Sequence, residues 1–152
     1  MKNKLLLNPF LFKLRKMLAR FSTKSVYVGN GRVLVNTLAG PRLYVYGNDV
    51  SVAPHLICQG YYEKEVTRAI VRLTKPGMHV LEIGANIGYH TTLFGGGVGG
   101  SGSVLVFEAF PKTYEMLMDN IHINGLATIV RAENLAVYNK DGEVSFSFLE
   151  KQ

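Results

Sequence analysis

Hydrophobic residues at helical spacing predict an amphipathic helix within residues 1–24, a strongly basic part of the chain. Such a helix can lie on an anionic membrane surface, or it can pack on the domain with its basic side in solvent. A cleaved signal peptide fits less well, because basic residues follow the apolar run closely. The apolar face is formed by Leu11, Leu14, Leu18 and Phe21, and another face by Lys13, Lys16 and Arg20.

Short alternating runs in residues 25–75 predict an antiparallel β-meander followed by a helix. Asn30-Gly31 lies between VYV and RVLV and is a strong hairpin turn signal, since both turn residues need positive φ. Arg42–Tyr46 predicts a further strand. Residues 63–74 predict a helix, which the following Lys75-Pro76-Gly77 terminates. Its apolar side is formed by Val66, Ala69, Ile70 and Leu73.

From residue 76 onwards apolar strands alternate with helices, which predicts a parallel sheet with right-handed crossovers. The strands are expected at 79–83, 104–107 and 128–132, and 143–148 (EVSFSF) predicts another. The first helix begins at Gly88, and the second begins at Pro111 and places Tyr114, Leu117, Met118 and Ile121 on one side.

The glycine-rich stretch of residues 95–100 falls where the first crossover helix should finish. Each interior glycine costs about 1 kcal/mol of helix stability relative to alanine. We therefore expect this helix to be short or frayed at its end.

Composition limits the chain to one globular domain of 152 residues, 47% apolar and 18% charged. Nine of the 17 Lys/Arg and none of the 11 Asp/Glu lie in the first 48 residues, so the net charge of +6 is an N-terminal property. That distribution argues against a nucleic-acid partner, which needs a broad basic face. No apolar run approaches the roughly 20 residues of a spanning helix.

Cysteine and histidine usage excludes several kinds of site. Cys58 is the only cysteine, so the chain has no internal disulfide and no cysteine-based metal site. The four histidines lack metal-ligand spacing, and we predict no metal. A lone cysteine fits a reducing compartment, and we expect a cytoplasmic protein in which residues 1–24 are the candidate for membrane association.

The stretch VLEIGANIGYH, residues 80–90, carries the candidate chemistry. In open parallel sheets the ligand crevice lies outside the carboxyl ends of the strands, where Glu82 and the following turn are expected. A dinucleotide fingerprint G-x-G-x-x-G fails at Asn86 and Tyr89, and Glu82 would repel a diphosphate. S-adenosylmethionine fits better, because it has no phosphate and carries an ammonium, a sulfonium and a carboxylate.

The second strand of the alternating segment ends in Glu108, 26 residues after Glu82. A carboxylate at that strand end can accept both hydroxyls of a ribose, and Phe110 can lie against an adenine. Glu108 could otherwise be a solvated strand-end acid, and Phe110 a core residue.

VLEIGANIGYHTTLF, VLVFEAFP, YEMLMDNIHINGL and NLAVYNKDGEVSF together resemble the FkbM-like family of S-adenosylmethionine-dependent methyltransferases. The resemblance implies a Rossmann-like class I methyltransferase fold in residues 76–152, preceded by the β-meander and helix, and O-methyl transfer to a hydroxyl of a sugar or other small molecule. It places Glu63 near the mouth of the active site and leaves the catalytic residue unknown. The predicted cofactor-binding residues are Glu82, Gly84, Ala85, Asn86, Gly88, Glu108, Phe110, Glu133 and Asn134.

The segment that shapes the acceptor site in that family, of the type Asp-Val-Glu-Gly, does not follow Lys140, and we expect a fold truncated after the third parallel strand. Strand 79–83 would then expose an unpaired apolar edge, which a missing segment or a partner chain could complete. The alternatives are a non-catalytic cofactor-binding remnant, one part of a split enzyme, and a nucleotide-sugar or dinucleotide-binding oxidoreductase domain.

Overall fold

The structure, a computed structural model, describes residues 8–19, 25–143 and 145. Most of the strand predicted at 143–148 lies outside these residues, as do Arg20 and Phe21. The helices are α1 (Pro9–Ala19), α2 (Ala53–Gln59), α3 (Lys64–Leu73), α4 (Tyr89–Val98) and α5 (Pro111–Ile123). The strands are β1 (Val26–Gly29), β2 (Arg32–Asn36), β3 (Arg42–Tyr46), β4 (His79–Ile83), β5 (Ser103–Phe107) and β6 (Val130–Glu133).

Helix α1 begins where the side chain of Asn8 accepts the N–H groups of Phe10 and Leu11, at 3.0 and 3.2 Å. Phe10, Leu14 and Met17 are exposed along it, while the side chains of Lys16 and Leu18 lie outside the described part. Membrane contact through this helix stays a prediction. Within residues 8–19 and 25–143, no helix has the length and apolar character needed to cross a bilayer.

The predicted meander is present as an antiparallel sheet in the order β1-β2-β3. Asn30 and Gly31 form its hairpin turn with φ of 50° and 70°, as their sequence predicts. Its inner residues share one core with α2, α3 and α4, so this core includes residues from both of the segments expected from the sequence, 25–75 and 76–152. That core is formed by Val35, Leu38, Leu43, Val45, Val52, Ala53, Leu56, Tyr61, Ile70, Val71, Ile87, Tyr89, Leu93 and Met116.

Strands β4, β5 and β6 form the predicted parallel sheet in that order, and β6 begins at residue 130 instead of 128. Helices α4 and α5 pack on the same sheet face, because Val98 of α4 and Leu117 of α5 share a core with Val104 and Val106. The opposite face is uncovered among the described residues, and the β4 side chains Leu81 and Ile83, which point to it, are 62% and 59% exposed. Within the described chain β4 pairs on one side only, as the sequence predicts.

Helix α3 buries a different face from the one its apolar pattern predicts. Ile70 is buried as expected, but the other buried residues are Thr67 and Val71. Val66 and Leu73 are 44% and 67% exposed. The Thr67 hydroxyl donates to Tyr62 O at 2.6 Å and lies 3.1 Å from the Tyr89 hydroxyl, so these polar partners make its burial favourable.

The expected fraying of α4 is not observed, since the helix continues through Gly95 and Gly97; it ends inside the glycine-rich stretch, at Val98. Close packing explains two of these glycines. A Cβ on Gly95 would stand 3.0 Å from a methyl of Leu126, and one on Gly97 would stand 2.7 Å from the Thr74 methyl. The glycines therefore let α4 approach its neighbours closely.

Gly96 and Gly97 give a matched test of this packing. No atom lies within 4 Å of a Cβ on Gly96, so Gly96→Ala is expected to raise the free energy of unfolding by about 1 kcal/mol through helix propensity. Gly97→Ala must displace Thr74 and is expected to lower the free energy of unfolding by about 1 kcal/mol, because the cost of overpacking outweighs the gain in helix propensity. Urea unfolding of both variants measures the difference, and equal effects would contradict the packing argument.

Asn120 of α5 and Asn124, the residue that follows α5, bind the edge of β3 that has no partner strand in the described chain. Asn120 accepts the N–H of Tyr44 at 2.7 Å and donates to its carbonyl at 3.0 Å. Asn124 makes the same pair of hydrogen bonds with Arg42, at 3.0 and 2.7 Å. Four residues of helix rise about 6.0 Å and two residues of strand about 6.8 Å, so the amides match alternate peptide groups. This pairing fastens the meander to the parallel sheet.

Candidate functional site

The turn of residues 84–88 connects the end of β4 to α4. The N–H groups of Gly84 and Ala85 both donate to Phe107 O, at 2.9 and 3.0 Å, which holds the turn against the end of β5. Gly84 has φ of +78°, and no atom of the described residues lies within 4 Å of the position of a Cβ. Its backbone is therefore open to close approach by a ligand.

Gly88 is required for a different reason, which is packing. It precedes α4 with φ of +87°, and a Cβ there would stand 2.6 Å from a Leu117 methyl of α5. Asn86 also has positive φ, 50°, and its side-chain oxygen accepts the N–H of Ile87 at 2.7 Å. Asparagine tolerates this conformation better than most residues, so it can stand where another glycine is usual.

Glu108 joins the second strand end to the turn. Its carboxylate accepts the N–H of Asn86 at 2.8 Å and that of Phe110 at 2.9 Å, one on each oxygen. Each carboxylate oxygen has a second lone pair, so Glu108 can still accept two hydroxyl donors. The Asn134 amide donates to the carbonyls of Glu108 and Ala109, at 2.8 and 3.1 Å. The structure thus brings four of the predicted residues together.

Glu82 lies apart from this group, between β4 and α4. It accepts a hydrogen bond from the Thr91 hydroxyl at 2.6 Å. Burial raises its pKa from 4.5 to about 7, and the Thr91 hydrogen bond opposes that change. A carboxyl with this pKa carries only part of its negative charge at neutral pH, which corrects the expectation of a fully charged Glu82 facing the crevice.

Glu133 points to the uncovered face of the sheet. It pairs in register with Phe107 and bonds Arg131 Nε at 2.7 Å, whereas Glu82 and Val106 face the helices. Its carboxylate is therefore not brought to the group around Glu108. Only its neighbour Asn134 reaches that group.

A cavity of about 230 Å³ opens beside the turn, on the side of α3. Glu63 and His90 line it, and their Oε2 and Nε2 atoms are 3.9 Å apart, too far for a hydrogen bond. His90 Nε2 is buried, and no described residue forms a hydrogen bond with it. Burial lowers the pKa of His90, although Glu63 opposes this, so the ring is neutral at pH 7. The remaining lining residues are Val52, Tyr62, Gly84, Ala85, Asn86, Ile87 and Tyr89.

Sequence reasoning missed two residues that organise the site. Thr91 donates a hydrogen bond to Glu82. The sequence feature that could have indicated it is a hydroxyl residue on the first turn of the helix that follows the acid. Asn120 is fully buried and also donates to Ile87 O in the turn at 2.8 Å. Its signal is a pair of asparagines four residues apart on the helix. Across the described ranges no three His, Cys, Asp or Glu residues form a group that could hold a metal.

Comparisons with known proteins agree on the class of protein. The family model of protein-L-isoaspartate(D-aspartate) O-methyltransferase matches residues 47–148. Protein-L-isoaspartate O-methyltransferase 1 of Arabidopsis thaliana is 31% identical over 99 residues, which are 63% of this chain and 40% of the relative. The chain therefore spans about 40% of the length of this curated relative.

A solved structure supports the fold alone. P. horikoshii TYW2 in complex with MeSAdo superposes with a TM-score of 0.58 at 19% identity, covering 90% of this chain and 53% of that one. The predicted Rossmann-like fold is confirmed, as is resemblance to S-adenosylmethionine-dependent methyltransferases. The matches do not show the FkbM-like family.

Proposed function

Since the chain belongs to the protein-L-isoaspartate (D-aspartate) O-methyltransferase family, we propose that it is the cofactor-binding part of a methyltransferase that transfers a methyl group to oxygen. S-adenosylmethionine is the cofactor of this family. The observation that carries the proposal is the group formed by Glu108, Asn86 and the open backbone of Gly84.

The residues present fit this cofactor. Glu108 has free lone pairs for the two ribose hydroxyls and is fixed in place by two N–H donors. Gly84 leaves room for a ligand above the strand end. A diphosphate has no such match, because the turn N–H groups of Gly84, Ala85 and Asn86 already donate within the protein.

The contribution of this chain to the reaction is positioning. S-adenosylmethionine, when bound, supplies a methyl group on a sulfonium, which is already activated for displacement. Glu108 would orient the ribose. The 84–88 turn would keep its side of the crevice rigid through its hydrogen bonds to Phe107 O. Orientation alone can supply a large part of a rate enhancement. We assign no catalytic base.

Two acceptors are proposed, each from its own observation. The family match favours an isoaspartyl carboxylate of a protein, because the Arabidopsis relative is named for it. The motif resemblance, with Asn86 in the turn, favours a hydroxyl of a sugar or small molecule. Methyl transfer by the longest available form of the protein to an isoaspartyl peptide, compared with a sugar, separates them.

The uncovered sheet face leads to a proposal about completion. Leu81 and Ile83 are exposed beside a β4 edge without a partner strand in the described chain. We propose that a further segment or a partner chain covers them in the active enzyme, so that this chain by itself binds cofactor and turns over no acceptor. If the chain is instead a non-catalytic remnant, it would bind cofactor in the same way, but adding the missing segment or partner would produce no turnover.

The ligand class is tested by calorimetry with S-adenosylhomocysteine and NAD. We expect S-adenosylhomocysteine to bind and NAD not to bind. Glu108→Ala should weaken S-adenosylhomocysteine by at least about tenfold, because hydrogen bonds to a charged group are lost. Glu115→Ala, an exposed acid on α5, is the control and should leave the affinity unchanged. NAD binding, or full affinity in Glu108→Ala, would overturn the proposal.

A further inference from the structure

The cavity between the two residues that precede α3 and the 84–88 turn contains a pair of polar groups that have no role in the proposed function. Glu63 and His90 face each other there with 3.9 Å between Oε2 and Nε2. The gap is too wide for a direct hydrogen bond, yet a single donor atom between the two groups can lie about 2.9 Å from each. The geometry therefore suits a bridging donor.

The state of His90 defines which donor fits. Its Nε2 is buried and has no hydrogen-bond partner among the described residues, and a buried polar atom left unpaired costs free energy. A neutral imidazole can offer that nitrogen as an acceptor. A donor that hydrogen-bonds a carboxylate and an imidazole nitrogen at once needs two N–H groups, and a positive charge would be favoured by Glu63. A primary ammonium has both properties.

The backbone around the cavity is held in unusual conformations. Three non-glycine residues of the described chain have positive φ, and two of them, Glu63 at 45° and Asn86 at 50°, line this cavity. The third, Asn30, is in the hairpin turn. Unfavourable backbone conformations are kept where the surrounding structure requires a particular side-chain placement.

The size and position of the cavity indicate which ammonium it takes. At about 230 Å³ it is smaller than the roughly 300 Å³ at which pockets for drug-sized ligands begin, so it suits one end of a ligand. It adjoins Gly84 and Asn86, and Glu108 bonds the N–H of Asn86 from the other strand end. A nucleoside whose ribose lies at Glu108 can thus extend its other end into the cavity.

We propose that Glu63 and His90 bind the α-ammonium group of the amino-acid end of the cofactor. The inference rests on the proposed function and adds a second recognition element to it. Glu63 Oε2 and His90 Nε2 both accept from the ammonium, and the aromatic rings of Tyr62 and Tyr89 enclose it. The ring of Tyr89 lies 5.2 Å from that of His90, and the ring of Tyr62 lies 6.2 Å away.

A pair of ligands separates this inference from the proposed function. S-adenosylhomocysteine carries the amino-acid end, and 5′-methylthioadenosine lacks it. Glu63→Gln should weaken the binding of S-adenosylhomocysteine about tenfold, as expected for the loss of a hydrogen bond to a charged group. The affinity for 5′-methylthioadenosine should stay unchanged. His90→Phe keeps an aromatic ring, removes the acceptor and should act in the same direction. Calorimetry on the 152-residue chain measures both.

The matched control is Glu65→Gln, the next acid along α3. Its carboxylate contacts Lys64 and Arg68 at 3.6 and 3.4 Å, and it does not line the cavity. The affinity for both ligands should therefore stay unchanged in this variant. Equal loss of both ligands in Glu63→Gln, or no loss of S-adenosylhomocysteine, would overturn the inference. Failure of the unaltered chain to bind either ligand would instead count against the proposed function.

Discussion

Asn120→Ala is expected to lower the free energy of unfolding by about 3 to 5 kcal/mol, a large share of the stability of an ordinary domain. The Asn120 side chain is fully buried and makes three hydrogen bonds, with the N–H and carbonyl of Tyr44 and with Ile87 O. Alanine leaves all three backbone groups without this partner, and the Ile87 carbonyl among them is buried. Urea unfolding followed by circular dichroism measures the loss, since the chain has no tryptophan.

Asn124 provides the matched control, because it repeats the same hydrogen bonds one helical turn later at a more exposed position. Its bonds to Arg42 lie where water can replace them. Asn124→Ala should therefore cost only about 1 kcal/mol. Equal losses in the two variants would show that burial of the Asn120 amide is not what makes it important.

Glu82→Gln is expected to raise the free energy of unfolding at pH 8 by about 3 kcal/mol and to change it little at pH 4. Burial raises the pKa of Glu82 from 4.5 to about 7, so the folded protein retains a proton that the unfolded chain has lost. The contribution of Glu82 to stability is therefore complete below pH 4.5 and is lost as the pH rises through 7. Glutamine mimics the protonated acid at every pH.

The measurement is the free energy of unfolding of both proteins at intervals from pH 4 to pH 9. Their difference isolates Glu82, since all other titrating groups are common to both. Thr91→Val removes the hydroxyl that hydrogen-bonds the Glu82 carboxylate and lowers its pKa, so the loss of stability should extend to higher pH and become larger in total. A difference that stays constant across this range would contradict the assignment of a raised pKa.

Several predictions from sequence hold because they depend on local chemistry. The Asn30-Gly31 hairpin follows from the φ values that such a turn needs. The approach of Glu108 to the 84–88 turn follows from neighbouring parallel strands, whose carboxyl ends share one edge of the sheet. Neither inference needs to know how distant side chains pack.

The predictions that fail depend on contacts between distant parts of the chain. Helix α3 buries Thr67 instead of Val66, because Tyr62 and Tyr89 supply partners for its hydroxyl. The α4 glycines stay helical because Leu126 and Thr74 pack against them. Neither of these contacts can be predicted from the positions of apolar residues or from the number of glycines in the sequence.

The sequence by itself determined the order of strands and helices, the glycine-containing turn and the acid at the second strand end, since hydrophobic period and turn preference are local properties. Only the tertiary structure decided which polar residues are buried and with what partners. It placed Glu82 against Thr91 with a pKa near neutrality, Glu133 on the opposite sheet face, and Glu63 across from His90. Burial and strand register arise from packing between elements far apart in the chain, and these set charge and orientation at the site.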